Sequence, residues 1–363
     1  MAMSHSGHNI LIGTYTETLD FVTGNADGVL GAAYDPRTGQ VHDVTVLART
    51  RNPSYLALGA DGTHLYAVNE THTFSGQPGG GLTAFARDPQ TGALSQLNTR
   101  SSAGVAPCYL SVDGRYLLVA NYDSGSVTAI ALQPDGSLGP QHGHVQHVGS
   151  SVHPERQAGP HVHMACPDPV TGDVLVVDLG LDAILTYQLT DAGLTERPGT
   201  RFAAPPGAGP RHIAFHPDGQ HLFVVCELAS VVLTLRRAEG GRLDLAHVVS
   251  TLPSGAEAGS ANLAGAIRVT PSGRHVLVSN RGQDNLAMLR FDPETPSLTL
   301  VHSQPSGGQC PRDFCLTPEA DRVIVAHQDS RDLVVMDLSE DPAELSPVSR
   351  TEVPTPSCVL FAP

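Results

Sequence analysis

The chain has 363 residues, of which 21 are basic and 36 acidic, giving a formal net charge of −15. Reading a phosphate backbone requires a basic face, so this balance argues against a nucleic-acid partner, and no apolar run reaches the roughly 18 residues that cross a bilayer. With 40% hydrophobic residues the chain can fill a core, which excludes wholesale disorder.

The opening stretch, MAMSHSGHNILIGTYTE, lacks a basic leading region and has too short an apolar segment for a secretory signal, so a cytoplasmic protein is expected. Its HNILIGTY segment reads as one strand ending at Tyr15, and VLGAAYDPRTGQVHDV from Val29 reads as two strands around a turn. At Pro53 a fuller unit begins with PSYLALGADGTHLYAVNE, a hairpin turning at GADG, followed by a second hairpin, GLTAFARDPQTGALSQL. Comparable pairs begin at Pro107, Pro160, Pro210, Ala264 and Pro311, about every 50 residues; the copy from Pro210 reads PRHIAFHPDGQHLFVVCE. Four strands in such a period are the size of a propeller blade. The chain finishes PSCVLFAP, a first strand with no return strand, which the orphan strand at the start supplies. The expectation is therefore all-β: a seven-bladed β-propeller of four-stranded blades, one domain over residues 1–363, closed by a blade shared between the two termini.

Each first hairpin turns at its middle, so its two ends lie side by side, and seven such pairs should surround one mouth of the central channel. Read in order they place Ser357 with Thr14 and Tyr15, Ser54 with Asn69 and Glu70, and Cys108 with Asn121 and Tyr122. Next come His161 and His163 with Asp178, Arg211 with Glu227, Gly265 with Asn280 and Arg281, and Arg312 with His327 and Gln328. His161 and His163 are two apart, which in an extended strand puts both on one face. Three arginines, two histidines and a glutamate gathered in so lightly basic a chain form the candidate site: His161, His163, Arg211, Glu227 and Arg281 as catalytic residues. Arg312, Asn69, Glu70, Asn121, Asn280, His327 and Gln328 are taken as substrate-binding. Arginines also tie blades together through acids, and asparagines at strand ends also satisfy backbone groups. Asp178 is read as structural.

No zinc-protease, nucleophile-elbow, phosphate-loop or dinucleotide-binding motif occurs, and the six cysteines contain no C-x-x-C pair, as suits buried reduced thiols. His142, His144, His147 and His153 lie in a polar stretch without carboxylates at ligand spacing, so a solvated loop is expected and no metal.

The repeated P-x-x-apolar…P-D-G…N-E unit, with PHVH at 160–163, GPRHIAFHPDG at 209–219 and SNRGQDN at 279–285, resembles the seven-bladed propeller lactonases over essentially the whole chain. That family includes bacterial propeller-type 6-phosphogluconolactonases and fungal carboxymuconate cyclases. The resemblance implies hydrolysis of 6-phospho-D-glucono-1,5-lactone with no cofactor. The family's His, Arg, Glu and Arg fall on the PHVH histidines, Arg211, Glu227 and Arg281. Cys226 departs from the asparagine that other copies place before the turn-distal residue. On this reading Glu227 or a histidine takes the water proton, Arg211 or Arg281 stabilises the oxyanion, and Arg312 or Arg281 holds the phosphate. The partner is a small anionic sugar lactone, and the closed ring needs no second subunit, so a monomer is expected. A carboxymuconate-type cyclase would use the same cations, and a non-catalytic propeller that binds a protein is the reading of another class.

Overall fold

The computed structural model describes residues 8–256 and 262–362. The described residues form six four-stranded antiparallel sheets, a seventh sheet in which Phe202–Ala203 joins a four-stranded path, and two small two-stranded hairpins. The innermost strands, in blade order, are Pro356–Ala362, Leu56–Leu58, Pro107–Asp113, Val162–Pro167, Pro210–Phe215, Leu263–Val269 and Pro311–Leu316. Each contacts the innermost strand of the next, and the seventh contacts the first, so the blades close a ring. Closure is made by the two termini: Asn9 pairs with Ala362 and Gly13 with Cys358, with Val29–Asp35 and Gln40–Ala48 completing blade 1. This is the seven-bladed propeller expected from the repeats. No helix of the described residues is long and apolar enough to cross a membrane.

The sequence pattern follows from position within a blade. The second strand lies between two neighbouring blades and is covered on both faces, so His221–Cys226 reads as a continuous run and is buried at every residue. Fully burying one such Leu, Val or Phe stabilises the fold by about 1.5–3 kcal/mol. Outermost strands, such as Leu243–Ser250, expose most of their residues and are correspondingly polar.

One irregularity recurs at the channel end of the innermost strands. The pairing skips Cys108, His163, Arg211 and Arg312 in blades 3, 4, 5 and 7, Ser357 in blade 1, and Gly265 with Ala266 in blade 6. A bulge inserts an unpaired residue and re-aims its side chain, and here it does so at the same point of six blades.

Candidate active site

Two rings of residues meet at this end of the channel. One is the bulge ring. The other follows from strand alternation: Thr14, Asn121, Asp178, Cys226, Asn280 and His327 pair with the residue that opens their innermost strand or its bulge. The next residue points to the opposite side, toward the channel. That second ring is Tyr15, Glu70, Tyr122, Glu227, Arg281 and Gln328, with Leu179 at the equivalent sequence position in blade 4. The mouth is a cavity of about 750 Å³ lined by Glu70, Cys108, Tyr122, Arg156, His163, Glu227, Arg281, Arg312 and Gln328, among others. Below it the channel narrows to about 10 Å³ between Tyr15, Ser54, Arg211, His212 and their neighbours.

Glu227 is the hub. Its Oε1 accepts from Arg156 Nη2 at 2.5 Å, and its Oε2 accepts from Arg281 Nη2 at 2.6 Å and Arg211 Nε at 3.1 Å. Burial alone would raise its pKa, but Arg281, Arg156 and Arg211 outweigh burial and hold the carboxyl well below the usual range. Arg211 is buried too, and burial with repulsion from Arg281 brings it down to about 10 against the pull of Glu227. Its Nη1 also donates to Gly265 O at 3.0 Å. Gly265 fits there because a Cβ would stand 2.6 Å from Ser279 Oγ.

A second carboxylate faces the same cavity in a different setting. Glu70 Oε2 accepts from Tyr15 Oη at 2.8 Å and Ser54 Oγ at 2.5 Å. Arg312 Nη2 donates to the same Tyr15 oxygen at 2.6 Å, and its guanidinium lies over the Tyr15 and Phe21 rings at 5.1 and 5.3 Å. Burial raises the Glu70 pKa above the ordinary carboxylate value, even though Arg312, Ser54 and Tyr15 oppose the rise.

The two PHVH histidines separate. His163 is the bulge residue, lines the cavity, and packs edge-on against Tyr122 and His212 at 5.5 and 5.2 Å. Burial, then Arg211, pushes its pKa well below the ordinary value, so it is neutral. His161 precedes the strand and does not line the cavity; it stacks on Tyr122 at 4.5 Å and its Nδ1 lies 3.1 Å from Tyr122 O. The shared face expected of them is broken by the bulge at His163.

Arg211, Glu227, Arg281, Arg312, Glu70, Gln328 and His163 are thus brought together. Asn69, Asn121, Asn280 and His327 are not: alternation turns their side chains into the blades, where they bond strand ends and loops. Asn69 Nδ2 donates to Thr50 Oγ1 and Arg51 O, Asn121 Nδ2 to Thr128 Oγ1 and Ser126 Oγ, and Asn280 Nδ2 to Asn285 Oδ1 and Thr251 O. His327 lies between Ser306 and Asp332. These four correct the substrate-binding expectation. Asp178 is structural, accepting from His161 N and Leu181 N and pairing with His147 at 2.6 Å.

The histidine-rich stretch is also corrected. His142 and His144 lie in the outer strand Leu138–Gln146, and His147 is buried between Asp178 and Tyr187. His153 Nδ1 accepts from Arg156 N at 3.1 Å, within a loop anchored by buried Gln157, whose Nε2 donates to Leu179 O. Arg156 itself, which also donates to Tyr122 Oη at 3.0 Å, went unrecognised in the sequence because it lies outside the repeat. Only its place between a strand end and PHVH could have hinted at it. The one metal-ligand grouping among the described residues, His216 with Asp218 and His221, sits in the HPDG turn at the far end of its hairpin.

The family model "Lactonase, 7-bladed beta-propeller" matches residues 9–361. A 6-phosphogluconolactonase of Bacillus subtilis (strain 168) is 35% identical over 96% of this chain and 97% of its own length. A 6-phosphogluconolactonase of Formosa agariphila is 25% identical over 83% of this chain and 86% of its own. The solved structure of the Pseudomonas aeruginosa periplasmic gluconolactonase PpgL matches with a TM-score of 0.90 at 31% identity, covering 99% of each chain. With its ring of seven blades, the chain belongs to the seven-bladed β-propeller lactonase family, and its lactonase relatives make it a carboxylic ester hydrolase.

Proposed function

We propose that the protein hydrolyses 6-phospho-D-glucono-1,5-lactone to 6-phosphogluconate, as the names of its relatives indicate for them. The observation that carries this reading is Glu227 holding Arg156, Arg211 and Arg281 together at the wall of a cavity of about 750 Å³. Sites for ligands of drug size span about 300–1,000 Å³, so a phosphorylated six-carbon lactone fits.

The cations keep donors in reserve. A guanidinium carries five N–H bonds, yet Nη1 of Arg156, Arg281 and Arg312 donates to no atom among the described residues. Hydrolysis of a lactone requires charge stabilisation where the carbonyl oxygen turns anionic, and preorganised donors in a dry site supply it without reorganisation. Arg281 and Arg156, oriented by Glu227, take that oxygen. Arg312, fixed over the Tyr15 and Phe21 rings and facing the cavity, takes the phosphate. Arg211 sits one layer deeper and acts by positioning Glu227.

Glu227 is a poor base because all its hydrogen bonds come from cations. Its role here is to fix the guanidiniums. The enzyme acts as a monomer in the cytoplasm on a small anionic lactone, a reading supported by six free thiols, five of them buried, and by the completed ring. The test is a proton-release assay on freshly generated 6-phosphogluconolactone, with glucono-1,5-lactone and carboxymuconolactone beside it. Faster opening of the phosphorylated lactone supports the assignment. Preference for the dicarboxylate would move the assignment to the cyclase reading, and no acceleration of any of the three would end it.

A further inference from the structure

The mechanism above lacks a group to receive the proton of the attacking water. Glu227 is occupied on both oxygens by three guanidiniums. His163 is wedged between Tyr122 and His212 with Cys108 Sγ 3.8 Å from its Nδ1, so a proton arriving on it would be enclosed next to Arg211.

Glu70 holds the same ring position as Glu227, in blade 2, and lines both the cavity and the narrow channel beneath it. Two donors, Tyr15 Oη and Ser54 Oγ, hold its Oε2, while Oε1 makes no hydrogen bond among the described residues. Two bonds to one oxygen fix the carboxylate and leave the other oxygen for a ligand. We propose that Glu70 is the general base of the reaction, with Tyr15 and Ser54 as its positioning residues. The inference rests on the lactonase reading and deepens it.

The step balances without a further reactant. A water O–H bond breaks, its proton goes to Glu70 Oε1, and the water oxygen bonds to lactone C1. The C1–O π pair moves onto the carbonyl oxygen beneath Arg281 and Arg156. Collapse of that oxyanion breaks the bond from C1 to the ring oxygen, which leaves with the proton held by Glu70. The carboxylate ends as it began.

Surroundings support the division of labour. Charged and titratable groups around Glu70 are Tyr15 from blade 1, Cys108 and Asp123 from blade 3, His163 from blade 4, Arg211 from blade 5 and Arg312 from blade 7. Burial makes Glu70 a stronger base than an exposed glutamate, whereas the arginines make Glu227 a weaker one. Two carboxyl groups driven apart in this way divide into a proton carrier and a permanent anion.

The test is kcat/KM against pH, by proton release, for the wild type, Glu70→Gln and Ser54→Ala. In the wild type activity should rise with pH as Glu70 ionises. Glu70→Gln should lose about 10²–10⁴-fold in kcat, and the rise should vanish. Ser54→Ala removes one donor from the carboxylate, so the midpoint of the rise should move to higher pH, which a purely structural contact would not produce. The proposal is overturned if Glu70→Gln stays within about threefold of wild type, or keeps the same rise at a lower rate. Should Glu70→Gln fail to fold, Ser54→Ala decides, and an unmoved midpoint there also overturns it. A wild type inactive on every lactone refutes the function itself, whereas an active wild type with an indifferent Glu70→Gln refutes only the base.

Discussion

Replacing Glu227 by Gln keeps the shape of the hub and removes its charge. Arg211 and Glu227 are each 4% exposed at the side chain, Arg281 is 11% and Arg156 is 34%, so the substitution leaves one deeply buried cation and two partly accessible ones without a counter-ion. Removing one partner of a buried ion pair costs about 3–5 kcal/mol. Unfolding entropy of about 2.1 cal/mol/K per residue over 363 residues makes each kcal/mol worth roughly 1.3 °C, so Tm should fall by about 4–7 °C at pH 7. Arg156 and Arg281, no longer drawn together, should swing outward, and kcat should drop about 10²–10³-fold, as for loss of an oxyanion donor. The pH dependence has a defined sign. Because the folded-state pKa is depressed, the contribution of Glu227 is fully present above the ordinary glutamate value of about 4.3 and is lost as pH falls toward the folded value. The Tm gap between wild type and variant should therefore narrow below about pH 4. Thermal unfolding followed by circular dichroism and steady-state lactone hydrolysis measure both effects. A variant with wild-type Tm and wild-type kcat/KM at pH 7 would refute the hub.

Other substitutions separate the neighbouring roles. Arg156→Lys keeps a charge but loses the second guanidinium nitrogen, Nη1, left for the lactone oxygen while Nη2 joins Glu227 to Tyr122, so kcat/KM should fall about tenfold or more while Tm changes little, because the side chain is one-third exposed. Arg312→Ala should raise KM for the phosphorylated lactone more than for glucono-1,5-lactone; equal losses on the two would remove Arg312 from phosphate binding. Asn121→Ala removes the buried amide that donates to Ser126 and Thr128 and should cost about 1–3 kcal/mol of stability, read by denaturant unfolding. Its kcat/KM per folded molecule should stay at the wild-type level, since Asn121 is turned away from the cavity.

The architecture was legible because each blade repeats a local pattern and the termini carry complementary halves of one repeat. The approximate mouth was legible for the same reason: a turn such as HPDG fixes which strand ends lie together. What the repeat could not show was which of two adjacent residues faces the channel. Aligned by their prolines, Asn69 and Glu70 look equally placed, but strand alternation sends Glu70 inward and Asn69 into its blade. The bulge likewise decides between the histidines. Val162 of blade 4 occupies the place of Pro210 in blade 5, so His163, not His161, is the counterpart of Arg211, and a start counted from Pro160 is two residues early. Arg156 arrives from a connection with no equivalent in other blades, and its approach depends on bonds from His153 and Gln157 that carry no periodic signal. The hairpin Thr18–Leu19 with Val22–Thr23, which brings Phe21 to the rim, is invisible for the same reason.

The most direct measurement is a crystal structure of the protein with 6-phosphogluconate. The product carboxylate should lie against Arg281 and Arg156, the C5 hydroxyl that was the ring oxygen should lie within hydrogen-bond reach of Glu70 Oε1, and the phosphate should lie on Arg312. Product bound at the opposite end of the channel, or in the mouth with its carboxylate away from both arginines and its C5 hydroxyl away from Glu70, would contradict the account.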